Sequence, residues 1–289
     1  MRKINNHRLI ILMVVAMIFW GLSWTNAKIL GQYANAPLVM FWRFFFATIS
    51  FWFTVKYLDG TFHLEKRYLY YIIINSLFLV FYNYFYFKGT QIGLAGSGGV
   101  LVTTLNPILT TFFSLFFGGK ILRRDYLGLI LGIIGGGIIL KIWELNINSL
   151  YYSGNVFFLL ASLSWVAVTI ITSKSKQHID FLSYSFWSFL FATIMCLPLA
   201  SNSNLLSVFE FDWIFWINLA SLAVLAMSFG TSIYFLASIE LGPKRSSSYI
   251  FLVPITAMIF SMLFLKEPFQ ATTVIGGAFG MLSIYIINN

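Results

Sequence analysis

Charged residues are scarce in this 289-residue sequence, and cysteine is almost absent. Charged side chains make up 9% of the chain, whereas soluble domains carry roughly a quarter. A water-soluble fold of this length would have too little polar surface to cover itself, so the composition excludes a soluble globular protein. The single cysteine, Cys196, excludes a disulfide framework and a cysteine-based metal cluster.

Acidic residues and histidines are missing from the long apolar runs. The nine acidic residues and three histidines fall in the connections or at the ends of the runs. A membrane-embedded enzyme would need a nucleophile with its base, or a metal site, at membrane depth. The sequence therefore predicts no catalytic residue, no metal site and no cofactor. It shows no carboxylate or histidine relay for proton coupling inside the membrane, and coupling through Glu240 or Glu267 stays open.

Apolar residues, by contrast, make up 59% of the sequence and form ten runs long enough to cross a bilayer core of roughly 30 Å. Backbone polar groups must be paired in lipid, and the period-2 alternation of a membrane barrel is absent, so we predict an all-α integral membrane protein. The predicted spans are residues 9–30, 37–57, 68–88, 95–117, 125–142, 151–172, 181–200, 213–237, 246–265 and 270–287.

The basic residues indicate an orientation for these spans. Thirteen of the 18 lysine and arginine residues fall on one side of the predicted bundle, four on the other, and Arg43 inside a span. Because cytoplasmic loops carry the excess of positive charge, both termini are predicted to be cytoplasmic. Residues 1–8 are basic and lead into an apolar run without a cleavage site, so we expect an uncleaved first span. The net charge of +9 then needs no nucleic-acid partner.

The chain also contains an internal duplication. Tyr86-Phe87 recurs as Tyr234-Phe235, and Trp20 in the first predicted span has its counterpart in Trp165. We therefore predict two five-helix repeats, residues 1–145 and 146–289. Five spans per repeat is an odd number, so the second repeat must have the opposite orientation in the bilayer, as in many secondary transporters with a site near the midplane.

Several features recur in a characteristic order along the duplicated frame. They are a tryptophan in the first span of each half, Trp42-Arg43-Phe44, Tyr86-Phe87, Pro107 with Pro254, and Leu265-Lys266-Glu267. Together they resemble the EamA family of the drug/metabolite transporter superfamily. The resemblance implies a bacterial inner-membrane (plasma-membrane) carrier, often an exporter of amino acids or other small metabolites, with a cavity lined by spans 1, 3, 4, 6, 8 and 9. Gly118-Gly119-Lys120 departs from the family pattern, so only the second repeat keeps the acidic residue, Glu267.

Aromatic, hydroxyl and amide side chains on these spans are the candidates for a transport cavity. Trp20 and Trp24 share a helical stripe, as do Trp165 and Thr169; packing between helices or at the membrane interface is the alternative for the tryptophans. Pro107 and Pro254 each leave a backbone carbonyl free and are predicted as a gate or hinge, with simple packing as the alternative. The candidate cavity residues are Trp20, Trp24, Tyr82, Asn83, Tyr86, Thr103, Asn106, Trp165, Thr169, Ser228, Tyr234 and Tyr249.

Arg43 is the one basic residue well inside a predicted span. It could receive a substrate carboxylate in bidentate geometry. The resemblance puts span 2 at the periphery of the bundle, which favours a structural arginine bonded to helix-end carbonyls. Both interpretations remain open at this point.

The sequence thus predicts a secondary transporter that works by alternating access. The expected activity is export of amino acids or related neutral, zwitterionic or anionic compounds. The alternatives are a flippase for a lipid-linked carrier and, least favoured, a membrane-embedded enzyme. The expected partners are a small-molecule substrate and the lipid bilayer, with the protein as a monomer or homodimer.

Overall fold

The computed structural model describes residues 6–114, 123–144, 153–175 and 178–288, and all regular structure in these ranges is helical. The predicted all-helical class is confirmed. The Gly118-Gly119-Lys120 segment lies outside the described residues. The helices are α1 Asn6–Leu30, α2 Ala36–Tyr57, α3 Leu69–Ile92, α4 Ala95–Ser114, α5 Arg123–Leu140, α6 Asn155–Ser175, α7 Phe181–Leu199, α8 Trp213–Leu241, α9 (Pro243–Ser248 and Val253–Leu265, joined by a 3-10 turn) and α10 Ala271–Asn288.

Six of these helices are long and apolar enough to cross a membrane, namely α1, α2, α3, α6, α7 and α8. Shorter apolar helices occupy Tyr126–Leu140, Val253–Leu265 and Ala271–Ser283. Polar caps begin several helices where the apolar runs begin. The Asn35 side chain accepts from the backbone of Leu38 at the start of α2, and Asp180 accepts from Leu182 at the start of α7.

Helix α8 is irregular in its middle. Residues Ser221–Thr231 form a π-helical segment between the α-helical parts Trp213–Ala220 and Ser232–Leu241. Such segments are rare and are found mostly at functional sites. Because this segment packs against α1 and α2, it lies between the two helices that carry Trp20 and Arg43.

Small residues allow α5 and α10 to pack very closely. A Cβ atom on Gly135 would lie 2.6 Å from the Gly276 carbonyl oxygen, and one on Gly276 would lie 2.5 Å from the Gly135 carbonyl oxygen. Helices in lipid gain most of their association energy from such close packing, because apolar burial gives little when the solvent is itself apolar. The two glycines therefore fix the contact between α5 and α10.

Tertiary contacts recur at equivalent positions of the chain. The indole N-H of Trp42 on α2 donates to the Leu205 carbonyl at 2.9 Å, and that of Trp187 on α7 donates to the Phe62 carbonyl at 2.9 Å. Each tryptophan therefore holds the loop that leads into α8 or α3, respectively. Helices α2 and α7 also pack directly against each other.

Candidate functional site

A small cavity lies among α1, α2, α3, α4, α6 and α8 and has a volume of about 20 Å³. We call it the central cavity. A space of this size holds about one water molecule, so no metabolite fits without helix movement. The residues that line it are Trp20, Ser23, Trp24, Arg43, Tyr82, Asn83, Thr103, Asn106, Trp165, Met227 and Thr231.

Aromatic rings form a continuous cluster around the central cavity. The rings of Trp20 and Trp165 meet edge to face with centroids 5.0 Å apart, which is a favoured arrangement for aromatic pairs. Tyr234 lies 5.1 Å from Trp20 and 5.4 Å from Trp165, and Tyr82 lies 4.7 Å from Trp165. Trp20 and Trp165, which lie in the first predicted span of each half of the chain, are therefore in direct contact.

Trp20 is fixed by the irregular part of α8. Its indole N-H donates to the Ala226 carbonyl oxygen at 2.9 Å, and the Thr231 hydroxyl donates to the same oxygen at 3.3 Å. The π-helical geometry thus leaves a backbone carbonyl available to side chains. Any change in the helical register here would move Trp20, and with it one wall of the central cavity.

Two buried tyrosine hydroxyls extend the hydrogen-bond network away from the cavity. The Tyr86 hydroxyl donates to the Ser23 carbonyl oxygen at 2.5 Å. The Tyr234 hydroxyl and the Thr169 hydroxyl lie 2.9 Å apart, and Thr169 is also bonded to the Trp165 carbonyl. Both tyrosines and Thr169 therefore hold the residues that line the cavity and are not lining residues themselves.

Arg43 is buried on α2 and lines the central cavity. Its Nη1 donates to the Asn83 Oδ1 at 2.7 Å, and its Cζ lies 5.5 Å from the Tyr86 ring centroid and 5.6 Å from that of Phe87. This described hydrogen bond goes to a side-chain amide on α3 and not to the helix-end carbonyls that the sequence favoured. Helix α2 reaches the cavity, so Arg43 belongs to the candidate site.

The two predicted hinge prolines differ in their surroundings. Pro107 lies inside the continuous helix α4, where the neighbouring Asn106 is buried and its Oδ1 has no hydrogen-bond partner among the described residues. The Thr103 hydroxyl, one turn earlier, donates to the Gly99 carbonyl. Pro254 follows the 3-10 turn Tyr249–Leu252, so only α9 departs from α-helical geometry near its proline.

A larger cavity of about 410 Å³ opens at the end of the bundle where α1 and α3 end and α6 begins. The Lys28 Nζ donates to the Gly93 carbonyl at 2.7 Å on its wall. Nearby, the Glu267 carboxylate accepts from the backbone N-H groups of Ala95 and Gly96 at 2.7 and 2.8 Å. A carboxylate is favoured there because the first N-H groups of a helix are unpaired and its dipole is positive. We call this the Lys28 end of the protein.

Hydrogen bonds also join loops at the Lys28 end. The Tyr33 hydroxyl, between α1 and α2, donates to the Asp212 carboxylate at 2.9 Å. The pKa of Tyr33 is raised above its ordinary value, mainly by this hydrogen bond. The Asn35 amide donates to the Ser203 hydroxyl at 2.9 Å in the same region. These contacts connect the α1–α2 loop with the segment between α7 and α8.

The structure brings most of the predicted cavity residues together. Trp20, Trp24, Tyr82, Asn83, Thr103, Asn106 and Trp165 line the central cavity. Ser228 is buried in the π-helical segment and Tyr249 begins the 3-10 turn of α9, and neither lines it.

Sequence reasoning missed three lining residues: Ser23, Met227 and Thr231. Ser23 follows Trp20 by three residues and could have been found on the same helical stripe. Met227 and Thr231 are in the π-helical segment, where the ordinary helical period fails. Among the described residues there is no group of three histidine, cysteine, aspartate or glutamate side chains that could hold a metal ion.

Comparison with known proteins connects this architecture to one family. The EamA-like transporter family matches residues 7–141 and again residues 152–289. The chain belongs to the EamA-like transporter family. It is therefore a multi-pass membrane protein with a small-molecule substrate and the bilayer as its surroundings, and its relatives are transporters, not enzymes.

Individual relatives are distant. An uncharacterized transporter of Synechocystis sp. is 29% identical over 67% of this EamA-like transporter and 63% of its own length. The uncharacterized transporter YoaV of Bacillus subtilis is 24% identical over 90% of this chain and 89% of its own. An S-adenosylmethionine uptake transporter of Rickettsia bellii is 26% identical over 61% of this chain and 59% of its own.

A solved structure titled "Crystal structure of protein" shares the fold. It superposes with a TM-score of 0.67 at 15% identity and covers 97% of this chain and 98% of its own. The arrangement of helices described above is thus present in a second protein of similar length.

Proposed function

We propose that this EamA-like transporter is a ten-span secondary carrier whose repeats, residues 1–145 and 146–289, have opposite orientations in the bilayer. The contacts at equivalent positions support the proposal, because Trp20 touches Trp165 and Trp42 and Trp187 each hold a loop of the other repeat. The distribution of basic residues supports cytoplasmic termini. The bacterial relatives support the inner (plasma) membrane of a bacterium as the location.

The proposed mechanism is alternating access to the central cavity. The cavity is closed towards the Lys28 end by Trp24, whose ring lies 4.7 Å from Tyr86 and 5.8 Å from Phe158. Towards the opposite end, the Thr172 hydroxyl lies 3.1 Å from the Tyr184 hydroxyl. These contacts fit an occluded carrier, in which separating one set opens the cavity to one side while the other set stays closed.

The proposed substrates are amino acids or related small metabolites, moved by export. The observation that carries this proposal is a buried cavity that combines an arginine, two amides and aromatic rings, with no acidic side chain among its lining residues. Such a wall suits neutral, zwitterionic or anionic compounds and disfavours polyvalent cations. The Rickettsia bellii relative is named as an uptake transporter for S-adenosylmethionine, whereas export is proposed here. The test must therefore also determine the direction of transport.

The test is a solute screen with the purified protein in liposomes. We expect saturable movement of an unchanged amino acid or small metabolite in protein-containing vesicles and none in empty vesicles. Repeating the screen with and without a pH gradient decides whether protons are coupled. Failure to move any member of a broad metabolite panel, or recovery of a chemically altered product, would count against a carrier. Movement of a lipid-linked compound alone would support a flippase instead.

A further inference from the structure

The charge of Arg43 is buried, and no described residue supplies a counter-charge to it. Its side chain lies in the middle of the described structure at 4% relative exposure. The salt bridges among the described residues join Arg67 with Glu65 and Lys141 with Glu144, and neither pair involves Arg43. An isolated charge is costly in a low-dielectric interior unless it is paired and hydrogen-bonded. An anion bound next to the Arg43 guanidinium would therefore lower the free-energy cost of burying its charge.

The described hydrogen bond of Arg43 leaves another side of its guanidinium unpaired. Nη1 donates to the Asn83 Oδ1, whereas Nε has no partner among the described residues. A guanidinium offers five N-H donors in a fixed plane, and a carboxylate binds two of them side by side. Because Nη1 donates to Asn83, a carboxylate would bind the edge formed by Nε and Nη2 once helix movement admits it.

Asn83 orients that edge. Its Nδ2 donates to the Leu79 carbonyl at 2.8 Å, one turn earlier on α3, so its Oδ1 must face Arg43. The guanidinium lies over the ring faces of Tyr86 and Phe87, where a cation–π contact attracts it. Arg43 is thus positioned by three neighbours on α3, Asn83, Tyr86 and Phe87, none of which carries a negative charge.

The rest of the cavity indicates what accompanies the anion. Trp20, Trp24, Tyr82 and Trp165 form aromatic walls, which suit an apolar or aromatic part of a ligand. The free Oδ1 of Asn106 is an acceptor for a donor group such as an amine or hydroxyl. These features lie on the same cavity as Arg43, so one ligand could engage them together.

We propose that Arg43 is the anion-binding residue of the central cavity and that the substrate is a carboxylate with an apolar or aromatic part. This inference rests on the proposed function, because it assigns ligand chemistry to the same cavity. A bound carboxylate supplies the missing counter-charge, and carriers loaded in this way pass through the occluded state with the arginine neutralised. Compounds of the same shape without the carboxylate are poor ligands.

Binding is tested on the purified full-length protein with two matched pairs of compounds. The pairs are 3-phenylpropionate with 3-phenylpropionamide, and phenylalanine with phenylalaninol, each titrated while the thermal unfolding temperature is measured. We expect the carboxylates to raise the unfolding temperature at concentrations where their partners do not. In Arg43→Gln the apparent affinity should fall about 10- to 100-fold, because hydrogen bonds to charged groups are lost.

A second variant does not depend on removing the arginine. Asn83→Asp places a carboxylate of almost the same shape beside Arg43, so it should supply the counter-charge from within and weaken carboxylate binding by a similar factor. A purely structural Arg43–Asn83 pair would be strengthened by this change without any effect on ligand selectivity. Arg67→Gln, at an exposed arginine, is the control and should bind as the wild type does.

The outcomes separate the two proposals. Selective binding of carboxylates that is lost in Arg43→Gln and Asn83→Asp supports the anion site. If liposomes containing the protein nevertheless move none of these compounds, that result counts against the transport of these compounds and not against the anion site. Equal binding of both members of each pair, unchanged binding in the two variants, or no binding of either carboxylate would overturn the anion site and leave the transport proposal to the solute screen.

Discussion

Thr48 and Thr193, which are 145 residues apart in the chain, bring their hydroxyl oxygens within 3.2 Å of each other. Each hydroxyl is also within hydrogen-bond distance of the carbonyl four residues earlier, at Phe44 and Phe189 respectively. Because each hydroxyl has one proton, one threonine donates to the other and the second donates to the carbonyl of its own helix. Two equivalent residues can meet in this way only close to an axis that relates their surroundings. The contact between Trp20 and Trp165 satisfies the same condition, and together the two pairs support an inverted repeat.

The threonine pair can be tested with a double-mutant cycle. Thr48→Val and Thr193→Val should each destabilise the protein by about 1 kcal/mol, because each removes a hydrogen-bonding hydroxyl from a buried contact. The double variant should lose less than the sum, with a coupling of about 0.5–1 kcal/mol measured by reversible unfolding. Thr48→Val combined with Ser164→Ala, whose hydroxyl donates to the Leu160 carbonyl of the same helix, should be additive. Additive losses for the threonine pair would mean that the contact contributes nothing.

The tryptophans at the centre should matter for transport more than for insertion into the membrane. Trp165 contacts Trp20, Tyr82 and Tyr234, and each aromatic contact contributes about 0.5–1.5 kcal/mol beyond its burial. Trp165→Leu should therefore lower the initial rate of flux by about tenfold. Trp213→Leu, at a tryptophan that is 72% exposed, is the matched control. Unchanged flux in Trp165→Leu at equal protein content would exclude Trp165 from the site.

Two adjacent glycines on α5 should differ in their response to the same small change. In Gly135→Ala the new methyl group would meet the backbone of Gly276, which cannot move away without separating α5 from α10. We expect a loss of about 1–3 kcal/mol, as for other overpacked contacts, seen as a lower unfolding temperature. In Gly136→Ala the nearest atom is the flexible Leu105 side chain at 3.2 Å, so the unfolding temperature should change little. Equal effects of both changes would contradict the close contact at Gly135.

The Glu267 carboxylate should help to close the Lys28 end. Glu267→Ala leaves the backbone N-H groups of Ala95 and Gly96 unpaired at the start of α4, at a cost of about 1 kcal/mol. The local opening can be measured with Ser97→Cys, since Ser97 lines the cavity at this end and the native Cys196 is buried. A membrane-impermeant thiol reagent should label that position faster in Glu267→Ala than in the exposed control Glu65→Ala. Identical labelling rates would rule out a closing role for Glu267.

The apolar runs were sufficient to predict helices, because lipid leaves the backbone few alternatives. The predicted span 213–237 thus corresponds to Trp213–Leu241 in the structure. The sequence could not predict the π-helical segment inside it, since that geometry depends on contacts with Trp20 and other neighbours. For this reason Ser228 was predicted in place of Met227 and Thr231.

The remaining differences between the predicted and the observed contacts come from residues that are distant in the sequence and adjacent in the structure. Trp20, Trp165 and Asn83 were predictable as site residues because their polar or aromatic character recurs at equivalent or helically spaced positions. The partner of Arg43 was not predictable, since Asn83 is brought to it only by the packing of α2 against α3. The contact of Glu267 was not predictable either: Glu267 lies in the connection between α9 and α10, and its carboxylate reaches the backbone at the start of α4.

The most direct test of the central claim, a carrier with one alternately exposed internal site, is counterflow in liposomes. Vesicles are loaded with a high concentration of an unlabelled compound that the solute screen has identified, and uptake of the labelled compound is followed from outside. The account predicts that label accumulates transiently above its equilibrium level in wild-type vesicles, because the loaded site returns across the membrane faster than the empty one. In vesicles containing Trp165→Leu, little label should accumulate. Uptake that rises only to equilibrium whether or not the vesicles are preloaded would contradict the account and indicate a pore.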